Sequence, residues 1–256
     1  MSRDSNIVSG NDAFLENLPT GFVVSYDPVE MLLLREYGAV FVAKGGAVAP
    51  KTVVFKNSDE VSHFQTGLKK STENIGSFEM ELQSPAMIAL MEAIREAERQ
   101  DLTITPRYSD SAGRTYDETV GLWTSRVQPA LRHWVGKGKI TQKDADRIKG
   151  LTPYQQVPEV LKLEIEGIFF AQDLSKSIIY SVAPPGTSQH LALLAFDVLE
   201  NENPEVRSIL ANEGWFQTVT SDLPHFTYLG VPENDLEKLG LKKMINGDRS
   251  FWIPDI

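Results

Sequence analysis

The chain has 256 residues, of which 41% are hydrophobic, and a formal net charge of −10. That apolar fraction is enough for a sizeable folded core, while the acidity, with a pI near 5.0, argues against nucleic acid as a partner. The absence of cysteine excludes disulfides and thiolate metal sites. No apolar run approaches the roughly 18 residues of a transmembrane helix, so no membrane span is predicted.

The first third of the chain is predicted to be an N-terminal extension that contains β-strands. Apolar segments at residues 21–26, 39–43 and 52–55 are typical of short strands, and turn residues separate them. Residues 1–82 carry no recognisable chemistry, so their role stays open, and residues 83–256 are interpreted as the functional domain. Residues 1–6 are polar and lack a signal-peptide core, which leaves either a protein that stays inside the cell or one whose signal has been removed.

Helices dominate the middle of the chain. Ser84 as N-cap and Pro85 as the first helical residue predict a helix to about Gln100. A second helix begins at Thr115, although Pro129 should kink or break it. Shorter helices are predicted from Thr141 to Gly150, over 160–169, from Asn203 to Leu210 and after Pro232. Extended segments are predicted at 102–105, 177–180 and 225–229. This mixture predicts an α+β fold with a small, mostly antiparallel sheet and helices on one side.

Two segments in the last third each combine one histidine with one carboxylate. His190 and Asp197 lie in residues 184–197, and Asp222 and His225 lie in residues 221–230, so two of the four histidines occupy matching contexts. Imidazole and carboxylate together form a ligand set that suits zinc. Three such ligands leave one position open for water, and a fourth side chain can then act as a base.

The spacing within the first segment leaves its structure open. His190 follows a Pro-Pro-Gly turn, and an almost wholly apolar run then leads to Asp197. Residues seven apart share a face in a helix but lie on opposite faces of one uninterrupted strand. If the run is a strand, His190 must lie before it, or a bulge must intervene. Asp197 needs a partner in either case, because an unpaired buried charge is costly.

The other two histidines are interpreted as structural or surface residues. His63 and His133 have no second ligand at metal-binding spacing in the sequence. The small basic stretch at residues 136–148 is likewise interpreted as a solvated turn and surface helix and not as a nucleic-acid patch.

The two segments together resemble the zinc D-alanyl-D-alanine carboxypeptidase family, which includes VanY- and VanX-type peptidases, phage endolysin peptidases and the hedgehog signalling domain. The resemblance rests on the pattern Ser188-x-His190-x(4)-Ala195-x-Asp197, followed by Asp222-x-x-His225-x-x-Tyr228-x-Gly230. It implies that His190, Asp197 and His225 bind zinc and that Asp222 is the general base. It covers roughly residues 84–232, so residues 83–256 would form a zinc peptidase domain.

Two positions depart from the family pattern. Leu193 stands where many members have glycine, and Asp222 stands where the carboxypeptidases usually have glutamate. The endolysin L-alanyl-D-glutamate peptidases of the same family use aspartate at that position. The departure at Asp222 therefore bears on the substrate class and not on the resemblance itself.

The resemblance also implies an arginine that stabilises the oxyanion formed at the scissile carbonyl. Arg114, in the sequence Arg-Thr-Tyr-Asp-Glu-Thr, matches the family segment, and Arg107 is the competing candidate. The chemistry needs a fixed cation beside a developing negative charge. Ser188 is expected either to lie near the substrate or to satisfy its own turn, as hydroxyls in turns often do.

The function that the resemblance implies is hydrolysis of peptidoglycan stem peptides, with D-alanyl-D-alanine carboxypeptidase activity as the first expectation. An L-alanyl-D-glutamate endopeptidase and a non-catalytic metal-binding domain that binds cell-wall peptide or a protein partner are the alternatives. A peptidoglycan substrate implies an extracytoplasmic location, periplasmic or secreted. The oligomeric state is left open.

Overall fold

Helices and short antiparallel strand pairs alternate along residues 13–256, the part of the chain that this computed structural model describes. The helices are α1 (Ala13–Asn17), α2 (Pro28–Tyr37), α3 (Ser58–Thr66), α4 (Ser84–Arg99), α5 (Tyr116–Gly136), α6 (Gln142–Lys149), α7 (Pro153–Ile165) and α8 (Pro204–Asn212). The strands are β1 (Lys70–Ile75), β2 (Phe78–Gln83), β3 (Ala195–Asp197), β4 (Trp215–Phe216), β5 (His225–Tyr228), β6 (Leu241–Asn246) and β7 (Arg249–Pro254). Short 3₁₀ helices cover Gly38–Val42, Ile178–Tyr180, Gln189–Ala192, Glu233–Asp235 and Glu237–Leu239.

The strands form three small antiparallel sheets, which confirms the predicted α+β class. β1 pairs with β2 and β6 pairs with β7, while β3, β5 and β4 form a three-stranded sheet with β5 in the centre. Every strand pair within residues 13–256 is antiparallel. The central sheet carries two of the three predicted metal ligands.

One hydrophobic core extends across the predicted boundary at residues 82 and 83. Its buried members include Leu34 and Val42 from the first part of the chain, and Trp123, Phe196 and Trp215 from the second. None of these side chains is more than 2% exposed. The two parts therefore contribute side chains to the same core, while the division into 1–82 and 83–256 stays a prediction.

The strands predicted near the N-terminus are wrong. Residues 39–43 lie almost wholly in the 3₁₀ helix Gly38–Val42, and residues 21–26 and 52–55 form no strand. The apolar run from 39 to 43 is buried on all sides, so its composition indicates burial and not an extended backbone. The strands of this region are β1 and β2 instead, and β1 is polar and mostly exposed, without an alternating apolar pattern. Residues 1–12 of the predicted extension lie outside the described part.

The long central helices are confirmed, with small corrections. α4 begins at Ser84 with Gln83 as its N-cap, one residue before the predicted cap. α5 begins with the capping box of Thr115 and Glu118 and continues through Pro129. The cost of proline inside a helix is offset here because the buried residues Val127 and Ala130 anchor the helix before and after it.

Two extended segments and one helix were placed wrongly. Residues 102–105 form no strand, although Pro106 makes an isolated bridge to Val198. The segment predicted as extended at 177–180 contains the 3₁₀ helix Ile178–Tyr180, and the helix predicted at 160–169 is α7, which starts and ends earlier. No helix within residues 13–256 is both long and apolar enough to cross a membrane.

Candidate metal centre

The pairing of β3 with β5 places Asp197 and His225 directly opposite each other. The two residues are Cα partners in the antiparallel register, so their side chains leave the sheet on the same face. His190 reaches the same point from the 3₁₀ helix Gln189–Ala192, which precedes β3. Leu193 adopts a left-handed conformation with φ of 55° and turns the chain from that helix toward β3. Of the two arrangements that the sequence left open, His190 therefore lies before the strand.

A loop between α4 and α5 runs beside β3 and closes the other side of the site. The main-chain nitrogen of Arg107 donates to the carbonyl of Asp197 at 3.0 Å, and the nitrogen of Asp197 donates to the carbonyl of Ser111 at 2.9 Å. These bonds hold the carbonyl of Ala112 against the ring of His190.

His190, Asp197 and His225 converge on one point. Nε2 of His190 lies 3.3 Å and Nδ1 of His225 lies 3.1 Å from the same oxygen, Oδ1 of Asp197. One ligand atom from each residue falls within 4.8 Å of the others, and all three residues are buried. Within residues 13–256 they are the one cluster of three or more such side chains that could hold a metal ion.

The ring of His190 presents an electron pair to this point. Its Nδ1 lies 2.6 Å from the carbonyl oxygen of Ala112. A carbonyl oxygen only accepts, so Nδ1 of the neutral ring carries the proton and Nε2 does not. Nε2 is buried and has no hydrogen-bond partner among the described residues. A buried polar atom in this state is costly unless a further group binds it.

The ring of His225 turns Nδ1, and not Nε2, toward the same point. Nε2 lies 2.9 Å from Oε1 of Gln189, an amide oxygen that accepts and cannot donate. This contact is a hydrogen bond when Nε2 carries the proton, and Nδ1 then directs its electron pair toward Oδ1 of Asp197. Two nitrogen electron pairs and one carboxylate oxygen face one another, an arrangement that a cation between them would stabilise. The donor set fits zinc and other divalent transition metals.

The surroundings fix the charge state of the cluster. Burial lowers the pKa of His190, which favours the neutral, metal-binding ring. Arg114 donates to the second oxygen of Asp197 at 3.0 Å and to the carboxylate of Asp110 at 3.2 Å.

A cleft of about 140 Å³ opens onto the cluster. Asp222 is an exposed residue of its wall, and its carboxylate makes no hydrogen bond or ion pair to any residue from 13 to 256. The hydroxyl of Ser188 also has no hydrogen-bond partner in this part of the chain, although the residue is only 7% exposed. The complete wall is formed by Tyr37, Arg114, Ile179, Tyr180, Ser181, Val182, Ala183, Ser188, Gln189, His190, Val219, Ser221, Asp222 and His225.

The other arginine candidate and the two remaining histidines lie outside the cleft. Arg107 is exposed, and its guanidinium lies 5.2 Å from the centre of the Tyr108 ring, outside the cleft wall. His63 is exposed on α3, and His133 is exposed on α5, where its ring meets the ring of Trp134 edge-on. Neither histidine belongs to the metal-binding cluster.

Sequence reasoning missed two residues of the site, Gln189 and Tyr37. Gln189 is a polar residue directly before the first ligand, at the start of an apolar run, and that position was the available signal. Tyr37 ends α2 and lies in the part of the chain for which the sequence predicted no chemistry. Nothing in its sequence context indicates a place in the cleft.

Comparison of the chain with family models, with curated proteins and with solved structures found no significant match. Within residues 13–256, the feature that bears on function is a buried His–Asp–His centre that could hold a metal ion at the base of a cleft.

Proposed function

We propose that this chain is a zinc-dependent peptidase that hydrolyses the stem peptides of peptidoglycan, with D-alanyl-D-alanine carboxypeptidase as its activity. The observation that carries the proposal is the buried convergence of His190, Asp197 and His225 at the base of a cleft that also holds Asp222. Such a substrate lies outside the cytoplasmic membrane, so an extracytoplasmic location belongs to the same proposal.

Zinc would be held by Nε2 of His190, Nδ1 of His225 and a carboxylate oxygen of Asp197. Bound zinc supplies Lewis acidity, which makes water a better nucleophile at neutral pH and polarises a carbonyl group. The protein holds the ligands in place through the Ala112 carbonyl, the Gln189 amide and Arg114. Partners of this kind orient the first ligands of metal sites and tune their basicity.

Asp222 is proposed to move the proton. Its carboxylate lies in the cleft wall and has no internal partner in the described structure, so it is available to water and to substrate. A carboxylate in this position can take a proton from the attacking water and return it to the leaving amine. The neighbouring cation is Arg114, whose guanidinium is fixed by Asp110 and Asp197 and can stabilise negative charge on the scissile carbonyl.

A second candidate is L-alanyl-D-glutamate endopeptidase activity, and two observations favour it. The base position holds Asp222 instead of the glutamate of the carboxypeptidases. Arg114 is also the one basic side chain apart from histidine in the cleft wall, and two carboxylates already engage it. A carboxypeptidase must accept a free terminal carboxylate, for which this wall offers no unpaired cation, whereas an endopeptidase substrate carries none at the scissile position.

The test combines metal content with hydrolysis of defined peptides. The protein is stripped with a chelator, reloaded with zinc, and incubated with a pentapeptide that ends in D-alanyl-D-alanine and with a muropeptide that contains the L-alanyl-D-glutamate bond. Mass spectrometry identifies the bond that is cut. The variants are His225→Ala and Asp222→Asn, with Asp59→Asn on the exposed face of α3 as the matched control.

We expect the control to match the unmodified protein in both zinc content and rate. His225→Ala should lose zinc and activity together, because one ligand is gone. Asp222→Asn should keep zinc and lose at least about 100-fold in rate, the usual contribution of general acid–base catalysis. Zinc binding without hydrolysis of either peptide would support the non-catalytic alternative. Failure to bind zinc, or full activity of Asp222→Asn, would refute the proposed mechanism.

A further inference from the structure

Gln189 occupies a buried polar network between the metal centre and the N-terminal part of the chain. It is 2% exposed. Its Nε2 lies 2.9 Å from the main-chain carbonyl oxygen of Tyr37 and 3.3 Å from Oγ1 of Thr218. Because a carbonyl oxygen accepts only, the atom that faces Tyr37 must be the amide nitrogen. The orientation of the Gln189 amide is therefore fixed by its hydrogen bonds.

This orientation turns Oε1 of Gln189 toward Nε2 of His225, at 2.9 Å. The hydroxyl of Thr227 donates to the same oxygen, and the hydroxyl of Thr218 lies 3.4 Å from it. An amide oxygen has no proton to give, so this contact is a hydrogen bond only in the tautomer of the neutral His225 ring that carries its proton on Nε2. Its Nδ1 is then left with an electron pair.

Without Gln189, the opposite tautomer of His225 would be favoured. Nδ1 lies 3.1 Å from Oδ1 of Asp197, and a carboxylate is a stronger acceptor than an amide oxygen. A proton on Nδ1 would occupy the position where the metal belongs. Gln189 competes with Asp197 for the single ring proton, and the surrounding network keeps Gln189 in position to do so.

We infer that Gln189 is a positioning residue that selects Nδ1 of His225 as the metal-binding atom, and that Tyr37 fixes Gln189 for this task. The inference rests on the proposed metal site and adds a role for the N-terminal part of the chain, which supplies the carbonyl of Tyr37. Histidine ligands commonly depend on such a second hydrogen bond for their tautomer and ring orientation.

The test reads the tautomer directly in the metal-free protein. Long-range ¹H–¹⁵N NMR at a pH where the ring is neutral distinguishes a protonated from an unprotonated ring nitrogen. The variants are Gln189→Leu, which removes the acceptor, and Gln189→Glu, which keeps one. Gln156→Leu is the matched control. Gln156 also accepts from a ring N–H, that of Trp123, and donates to a main-chain carbonyl, that of Leu151. It lies outside the cleft.

We expect His225 to carry its proton on Nε2 in the unmodified protein and in Gln156→Leu. In Gln189→Leu the proton should move to Nδ1, and zinc affinity, measured by competition with a chelating dye, should fall about 10- to 100-fold. The Gln189→Glu variant should bind zinc more tightly than Gln189→Leu.

Three results would overturn the inference: a proton on Nδ1 in the unmodified protein, an unchanged tautomer in Gln189→Leu, or equal loss of zinc affinity in Gln156→Leu. The spectrum of the unmodified protein decides the matter even if Gln189→Leu does not fold. Because the tautomer is read without metal or peptide, loss of the proposed peptidase function would leave this result intact.

Discussion

The guanidinium of Arg114 lies 3.0 Å from Oδ2 of Asp197, while Oδ1 of the same carboxylate faces the rings of His190 and His225. One oxygen is thus neutralised by a fixed cation and the other stays available at the centre of the cluster. Arg114 also pairs with Asp110, so its head group is held from two sides. Arg114 also lines the cleft, so a substrate bound there would lie beside this cation.

Replacement of Arg114 by lysine should lower hydrolysis even when the variant is measured fully loaded with zinc. Lysine retains one charge but cannot contact Asp110 and Asp197 as the guanidinium does. Loss of one fixed stabiliser of this kind typically costs about 100- to 1000-fold in kcat. Arg107→Lys is the control, since Arg107 is exposed and stacked on Tyr108. A loss in Arg107→Lys but not in Arg114→Lys would reverse the assignment of the two arginines, and an equal loss in both would contradict a role for Arg114 alone.

Ser188 and its neighbour Thr187 provide a contrast between a substrate contact and a turn contact. The hydroxyl of Thr187 donates to the carbonyl of Pro184 at 2.7 Å, whereas that of Ser188 has no partner within residues 13–256 and lies in the cleft wall. We expect Ser188→Ala to raise KM without a change in thermal stability. Thr187→Val should lower the melting temperature and leave KM unchanged, because a buried hydrogen bond contributes about 1 kcal/mol. Unchanged KM in Ser188→Ala would leave Ser188 with no role at the substrate.

The buried carboxylate of Glu164 should make stability depend on pH. Burial raises its pKa above the ordinary value of 4.5, against hydrogen bonds from Ser177, Ile178 and Phe170 that lower it. The contribution of Glu164 to stability is therefore present below 4.5 and is lost as the pH rises through the higher pKa of the folded protein. Glutamine does not ionise; its amide oxygen can accept from the main-chain nitrogens of Ile178 and Phe170, and its amide nitrogen can donate to the hydroxyl of Ser177. Glu164→Gln should therefore gain stability relative to the unmodified protein as the pH rises.

Urea unfolding at several values between about pH 4.5 and pH 8 checks this difference. Glu166→Gln is the control, because Glu166 lies at the same end of α7 but is exposed. Its stability should follow that of the unmodified protein at every pH. A constant difference between Glu164→Gln and the unmodified protein over this range would contradict the prediction.

Gly186 should be intolerant of any side chain. Its φ is 81°, and a Cβ atom at this position would lie 1.8 Å from the carbonyl oxygen of Phe55. Gly186→Ala should therefore add a backbone displacement to the unfavourable left-handed conformation and cost about 3 kcal/mol or more. Gly167→Ala separates the two effects, because Gly167 has a φ of 79° and open space around it. It should cost only about 1–2 kcal/mol, measured by the same unfolding experiment.

The convergence of the three ligands could be predicted because each motif carries its residues at short spacing. Asp222 and His225 are three apart, and His190 and Asp197 are seven apart, so only the meeting of two segments had to be inferred. The antiparallel pairing of β3 and β5 then brings the segments together, as the α+β prediction implied. The choice between a strand and a helix before Asp197 needed the structure, because Leu193 turns the backbone where the apolar pattern continues unbroken.

The contribution of residues before 83 could not be predicted. Gln189 contacts the carbonyl of Tyr37 across 152 positions in sequence. Every residue has a main-chain carbonyl, so the residue type at position 37 gives no sign of this contact. The hairpin of β1 and β2 was missed for a related reason, since the exposed face of β1 offers no apolar alternation. The hairpin of β6 and β7 was likewise missed, because β6 is exposed after Leu241.

The register of β3 against β5 has a consequence for folding. β3 has three residues and β4 has two, so only a short ladder holds β5 in its alignment. A slip by one residue would send Asp197 and His225 to opposite faces and abolish the ligand set. An ion that binds only the native alignment stabilises that alignment by mass action. A bound metal would therefore favour the native strand register over the slipped one, because the slip separates two of its three ligands.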